Sequence, residues 1–260
     1  NVDSGLHDFL AEDPGLMALA EQSGAVIRDV RRTPPRSELH FFGGRIDEVT
    51  AFRVAVLGTD SAVGKRTTAW LLIDAWRRAG RRTELVGTGQ TAWLQGARYG
   101  VVMDSLPNDF VAGEIEHAVV SAWDDCMPDV IVIEGQGSLL HPAYPGGFEI
   151  LAAARPQAVI LQHAPARKDY DGFPGHPVHS LAHQIRAIET VADASVVAVA
   201  VNHENIDPGR FHEACNAVAE EAERPAFDVL AHGADGLMSL LLERFPRLRK
   251  SPDDRQLASA

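Results

Sequence analysis

The sequence predicts an α/β fold of three layers, a mostly parallel sheet covered by helices on both faces. Apolar runs at 53–57 (RVAVL), 83–87 (TELVG), 129–133 (DVIVI), 157–162 (QAVILQ) and 195–201 (SVVAVAV) alternate with helix-periodic stretches at 65–79, 109–124, 178–192, 208–223 and 234–245. Strand followed by helix, repeated, is the pattern of parallel strands joined by crossover helices. The first of these strands also runs into a glycine-flanked loop and a lysine, "VLGTDSAVGKRTTAW" at 56–70, as a phosphate-binding loop does where it opens a helix.

The elements before this repeat read differently. Residues 6–23 are a broken helix, "AVIRDVR" at 25–31 is a strand, and "RTPPRSELHFFGGR" has the proline and glycine content of a connector. The reading divides the chain into 1–50, a leading segment and connector, and 51–260, the repeat itself. Because the chain opens with Asn1 directly into helix-like sequence, a part upstream of it is expected. The last residues, "RKSPDDRQLASA", are polar and expected to fray.

Composition narrows the function. With 45% hydrophobic and 23% charged residues in 260, the chain has enough apolar material for one sizeable core. A net charge of −12 and a pI near 5.3 argue against nucleic acid or an anionic membrane as main partner, since both favour clustered Lys and Arg. Cys126 and Cys215 lack metal-type spacing, which suits a reducing cytoplasm, and no apolar run approaches a membrane span. Small-molecule chemistry is the remaining class.

In the common phosphate-loop pattern four residues separate the first glycine from Gly-Lys, and a Ser or Thr after the lysine holds magnesium. Here five residues lie between Gly58 and Gly64, and Arg66 follows Lys65. Gly58, Thr59, Asp60, Ser61, Gly64, Lys65, Arg66 and Thr67 are the expected phosphate-binding set. At about 100° of rotation per helical residue, Thr67 is expected to point away from a metal position. An arginine beside the lysine adds a second cation for phosphate and suits an anion held without metal.

Ligands of open parallel sheets gather at the carboxyl ends of the strands. After the second strand, "GTGQTAWLQG" presents Thr88, Gln90 and Thr91; after the third, "EGQGSLLHPAYPGG" presents Glu134, Gln136, Ser138 and His141. Glu134 ends an apolar strand, the place of a magnesium-binding acid or a general base, and the glycines at 135 and 137 open the turn toward an oxyanion. After the fourth strand, "LQHAPARKDYDG" offers His163 for proton transfer and Arg167 for a substrate carboxylate. Asp104 follows a short apolar run and faces the site on this reading, and Asn108 or Asp109 caps the next helix. His176, His179 and His183 lack acidic or cysteine companions, so a surface helix start is expected there rather than zinc, and no metal site is assigned.

The loop spacing with its Gly-Thr-Asp start resembles dethiobiotin synthetases. The ordered blocks "GTDSAVGKRTTA", "GTGQT", "DFVAGEIE", "EGQGSLLHPAY" and "LQHAPAR" more specifically resemble the family known as domain of unknown function sixteen-eleven, over roughly residues 5–205. That resemblance implies a three-layer P-loop fold preceded by a Rossmann-like N-terminal part, of which 1–50 is the tail. It also implies an activity, since the family includes D-glutamate N-acetyltransferases.

The leading expectation is therefore an amino-acid N-acetyltransferase using acetyl-CoA. The loop holds the CoA phosphates, Glu134, His163 or Asp104 moves the proton, and Thr88, Gln90, Thr91, Gln136, Ser138, His141 and Arg167 meet the amino-acid substrate. Two alternatives stay open: a Mg-ATP-dependent ligase or kinase of dethiobiotin-synthetase type, and a nucleotide-binding module without turnover. A homo-oligomer is expected by analogy with related P-loop enzymes.

Overall fold

A computed structural model of the chain describes residues 1–249. It begins with a small βαβ unit: β1 (Val2–Ser4), a 3-10 turn, α1 (Pro14–Ser23) and β2 (Ile27–Asp29), with β1 and β2 paired in parallel. The broken helix expected at 6–23 is thus a turn and a shorter helix. Asp13 caps that helix by accepting from the N–H groups of Gly15 and Leu16, and Gly24 ends it in the left-handed region at φ 68°.

The main sheet follows. Its elements in order are β3 (Phe52–Gly58), α2 (Lys65–Arg78), β4 (Thr83–Gly87), α3 (Gln90–Leu94), β5 (Tyr99–Gly100), α4 (Asn108–Cys126), β6 (Val130–Glu134), β7 (Ala158–His163), α5 (Leu181–Val191), β8 (Ser195–Val201), α6 (Phe211–Ala222), β9 (Ala226–Phe227), α7 (Val229–His232) and α8 (Asp235–Arg244). The seven strands lie in the order β5-β4-β6-β3-β7-β8-β9, and every pairing is parallel. Helices cover both faces, the α/β P-loop architecture.

Each strand divides its side chains between two cores. In β3, Ala55 and Leu57 join the cluster under α4, α5 and α6, while Phe52, Val54 and Val56 join the one under α2 and α8. Because both faces are covered, the central strands read as continuous apolar runs. The elements the periodicity missed are short: β1, the two-residue edge strands β5 and β9, α3, α7, and a π-helical turn at Ile150–Ala154. Runs this short carry no period. Several helix starts also lie later than expected; α5 begins after Ser180, whose side chain accepts from the His183 N–H, and a separate 3-10 turn at Pro208–Arg210 precedes α6. The polar tail expected to fray lies outside the described residues from 250 onward.

The connector between the two units is anchored on α4. Glu116 is buried in mid-helix, and its carboxylate accepts from the Gly43 N–H at 2.5 Å and the Ile46 N–H at 3.0 Å. Gly113 is what admits the connector, since a Cβ there would stand 2.0 Å from the His40 carbonyl oxygen. The capping expected of Asn108 or Asp109 is absent: Pro107 occupies the N-cap of α4 and no side chain closes it.

Candidate active site

The site lies where strand order reverses. From β3 the chain crosses to β4 on one side and later returns to β7 on the other, so a crevice opens above the carboxyl ends of β3 and β6. A cleft of about 460 Å³ occupies it, lined by loop 61–67, the turns 89–91 and 134–137, and Arg31 and Asp104.

Loop 58–64 is shaped by backbone demands. Gly64 caps α2 at φ 103°, and no side chain caps that end, so the first-turn N–H groups remain for an anion. Gly58 lies under the lysine side chain; a Cβ there would come within 2.9 Å of Lys65 Nζ. Lys65 Nζ in turn donates to the Asp60 carbonyl at 2.7 Å and reaches across the crevice to the Gly137 carbonyl at 3.1 Å. Burial lowers its pKa to about 8, against the pull of Glu134 and Asp60 toward the charged form. Burial likewise raises Glu134, with the Lys65 and Arg66 charges opposing. A carboxyl group raised in this way and facing a cleft is suited to accept and return protons.

The sequence-predicted residues separate into two groups. Ser61, Gly64, Lys65, Arg66, Thr67, Gln90, Thr91, Asp104, Glu134 and Gln136 all line the cleft. Thr67 is exposed at its rim; Thr68 is the hydroxyl turned away, buried and donating to Gln162 Oε1. Gln90 Oε1 is buried with no hydrogen-bond partner.

The second group surrounds the loop from behind. Asp60 is buried and accepts from Arg167 Nη1 at 2.8 Å, the Asp171 N–H at 2.9 Å and the Ser61 N–H at 2.6 Å. Arg167 also donates to Glu204 at 2.7 Å. Burial opposes its charge, but the bonds to Glu204 and Asp60 outweigh that and raise its pKa. Its guanidinium is thus committed to the protein and lies outside the cleft lining, away from the substrate carboxylate expected for it.

His163 shares its Nδ1 with Thr59 Oγ1 at 2.9 Å, and burial lowers it to about 4, so the ring is neutral at physiological pH. Neither residue lines the cleft. His141 Nδ1 accepts from the N–H groups of Ala143 and Tyr144, which leaves the proton on Nε2, 3.4 Å from Asp60 Oδ1. Burial lowers the His141 pKa as well. Ser138 is buried beside this layer with an unpartnered Oγ.

Further bonds join the turns after β4 and β6. Thr88 Oγ1 donates to the Glu134 carbonyl at 2.8 Å, and Gln136 Nε2 donates to the Thr88 carbonyl at 2.5 Å. Thr88 is therefore a strut rather than a substrate contact. The Gly135 N–H is also committed, to the Val56 carbonyl at 3.0 Å, so an oxyanion role in this turn is left to residues 136–137. Gly137, at φ 22°, admits the Tyr144 carbonyl, which would stand 2.1 Å from a Cβ.

Arg31 is the cleft residue that strand-end reasoning missed. It enters from just beyond β2, in the leading βαβ unit, and pairs with Asp104. In the sequence it sits inside an unremarkable strand pattern, with no local signal that sets it apart.

Comparison with known proteins agrees with this architecture. The model of a family described as "Domain of unknown function (DUF1611_C) P-loop domain" matches residues 40–238. The chain belongs to this family. The companion "Domain of unknown function (DUF1611_N) Rossmann-like domain" matches residues 1–33, the leading βαβ unit. A D-glutamate N-acetyltransferase of Tritonibacter scottomollicae is 33% identical over 249 residues, covering 93% of this chain and 72% of that protein. One from a Pseudoalteromonas species is 29% identical over 251 residues with the same coverages. The crystal structure of a DUF1611 family protein from Anabaena variabilis superimposes with a TM-score of 0.84 at 34% identity, covering 93% of this chain and 71% of that one.

Proposed function

We propose that this DUF1611 protein is an amino-acid N-acetyltransferase that moves an acetyl group from acetyl-CoA to a D-glutamate-like acceptor. The observation that carries the reading is the arrangement after the loop lysine. Arg66 lines the cleft and takes the place in sequence, directly after Lys65, of the magnesium-binding hydroxyl; Thr67 lies at the rim, and the buried Thr68 hydroxyl is committed to Gln162. Two adjacent cations and an uncapped helix start suit phosphates that are gripped and left intact, as the pyrophosphate of CoA would be. The names of the relatives support the same class of reaction. The two cysteines, both free, fit a reducing cytoplasm.

On this reading loop 61–67 binds the phosphates and directs the thioester toward Glu134. The Glu134 carboxylate takes one proton from the acceptor ammonium group, and the neutral amine attacks the thioester carbonyl carbon. The C–N bond forms, the C–S bond breaks, and the departing thiolate leaves with the second amine proton. Glu134 then returns its proton to solvent. Donors at 136–137 and Lys65 stabilise the negative charge that develops on the carbonyl oxygen.

The test is calorimetric titration with acetyl-CoA and with ATP, each in magnesium and in EDTA, followed by acetyl transfer to D-glutamate. Acetyl-CoA binding indifferent to EDTA, with N-acetylglutamate formed, is the expected result. Magnesium-dependent ATP binding with no affinity for acetyl-CoA would overturn the proposal in favour of a ligase or kinase, and binding without any product would point to a sensing module.

A further inference from the structure

The cleft contains one cation with no task in phosphate binding. We propose that Arg31 and Asp104 form a clamp for the acceptor, Arg31 taking the α-carboxylate of an α-amino acid and Asp104 its α-ammonium group. The clamp rests on the transferase reading above and adds to it the place and chemistry of acceptor recognition.

A second cavity, of about 810 Å³, adjoins the 460 Å³ cleft and shares Arg31, Ser61, Asp104, Gln136 and Gly137 with it. Arg31 and Asp104 therefore stand at the junction between the phosphate side and a wider chamber, which is where donor and acceptor must meet.

The Arg31 side chain is only 10% exposed, yet its one hydrogen bond among the described residues runs from Nη2 to Asp104. Nε and Nη1 thus lack a protein acceptor, and a guanidinium offers its five N–H donors in a planar fork that matches a carboxylate. Asp104 has a side chain 50% exposed, which leaves its remaining lone pairs open to a substrate ammonium. An adjacent cation and anion mirror the adjacent ammonium and carboxylate carried by one α-carbon.

The Lys and Arg residues lining the two cavities are Arg31, Lys65 and Arg66. Lys65 and Arg66 belong to the phosphate loop, and Arg167, the cation expected to meet the substrate, is held by Glu204 and Asp60. A carboxylate entering this acidic chain is left with Arg31.

The experiment compares the parent protein with Arg31→Gln and Arg31→Lys, using D-glutamate and its decarboxylated counterpart, 4-aminobutanoate, as acceptors, with acetyl-CoA affinity measured separately. Loss of one charged hydrogen-bond pair predicts that Arg31→Gln raises the KM for D-glutamate by roughly 10- to 100-fold. The expected kcat change is smaller, acetyl-CoA affinity stays within about threefold, and Arg31→Lys falls between parent and Gln variant. The parent should prefer D-glutamate over 4-aminobutanoate, and that preference should collapse in Arg31→Gln.

An active Arg31→Gln with unchanged KM, or a loss confined to acetyl-CoA affinity, overturns the clamp and leaves the transferase reading standing. Should Arg31→Gln fail to fold, the parent alone decides: equal use of the two acceptors overturns the clamp. A parent that neither binds acetyl-CoA nor transfers acetyl overturns the transferase reading, and the clamp with it.

Discussion

Replacing Lys65 with Met separates the cost of the phosphate site from its use. Burial takes the lysine from 10.5 to about 8. That shift corresponds to on the order of 3 kcal/mol by which the fold disfavours the charged form. The folded-state value lies below the unfolded one, so at pH 7, under both, the penalty is present in full. As pH rises from 8 toward 10.5 the folded lysine loses its proton while the unfolded one keeps it, and stability increases. The variant removes the penalty but leaves the carbonyls of Asp60 and Gly137 without their donor, which costs about 1–3 kcal/mol each. At pH 7 the two lost bonds, about 2–6 kcal/mol together, set against about 3 kcal/mol relieved, put the variant between about 1 kcal/mol more stable and about 3 kcal/mol less stable than the parent. Between pH 7 and pH 10 the parent should gain stability over the variant, approaching 3 kcal/mol. Urea unfolding of both proteins at the two pH values reads this difference, and titration with acetyl-CoA at pH 7 reads the function, expected to fall by about 100-fold or more. A parent-to-variant difference that stays constant with pH would refute the claim of a strained buried ammonium. Undiminished binding would refute its role at the phosphates.

The other expectations follow from the same site. Glu134→Gln should lower kcat by about 10²- to 10⁴-fold in acetyl-transfer assays while acetyl-CoA affinity, measured by calorimetry, holds. The kcat/KM profile of the parent should rise at a pH above the ordinary glutamate range, because burial raises Glu134, and fall as pH passes about 8, where free-enzyme Lys65 loses its charge; Glu134→Gln should lose the rising limb and move the fall to lower pH, because the Glu134 charge holds the Lys65 pKa up. His163 has a folded value of about 4, below its ordinary 6.5, so its contribution is complete above pH 6.5 and is lost as pH falls toward 4. Thermal unfolding of His163→Gln against the parent over that interval should show a shallower acid loss. Gly113→Ala drives a Cβ against the His40 carbonyl, so hydrogen exchange should show residues 40–46 released from α4 before the sheet opens.

The sheet was readable because its physics is local. β3, β6, β7 and β8 are buried on both faces, so each is a continuous apolar run with turn residues at its ends, and the helices between them carry their own period. The loop at 58–67 was readable for a similar reason, since glycine is needed at two backbone positions and the lysine at one. What the chain did not disclose is pairing across distance. Arg31 meets Asp104 across 73 positions of sequence, through a βαβ unit that is not part of the main sheet. Nothing within ten residues of Arg31 distinguishes it from a surface arginine.

The residues misplaced by strand-end reasoning have a common cause. Thr59, Asp60, His141, His163 and Arg167 all lie at the carboxyl ends of central strands or in the turns that follow, as binding residues do. They instead form a buried polar layer that holds the loop from behind: Asp60 gathers Arg167 and two backbone N–H groups, Thr59 meets His163, and Arg167 ends on Glu204. A phosphate loop needs such a layer, because its N–H groups bind an anion well only when the backbone is held in place beforehand. Ligand contacts and loop supports therefore draw on the same residue types at the same end of the sheet. They differ in whether their hydrogen bonds are already used, as with Arg167, or still open, as with Arg31. That property belongs to the folded chain, and it is why the cation proposed for the acceptor lies in the leading unit and not at the strand end where the residue type alone placed it.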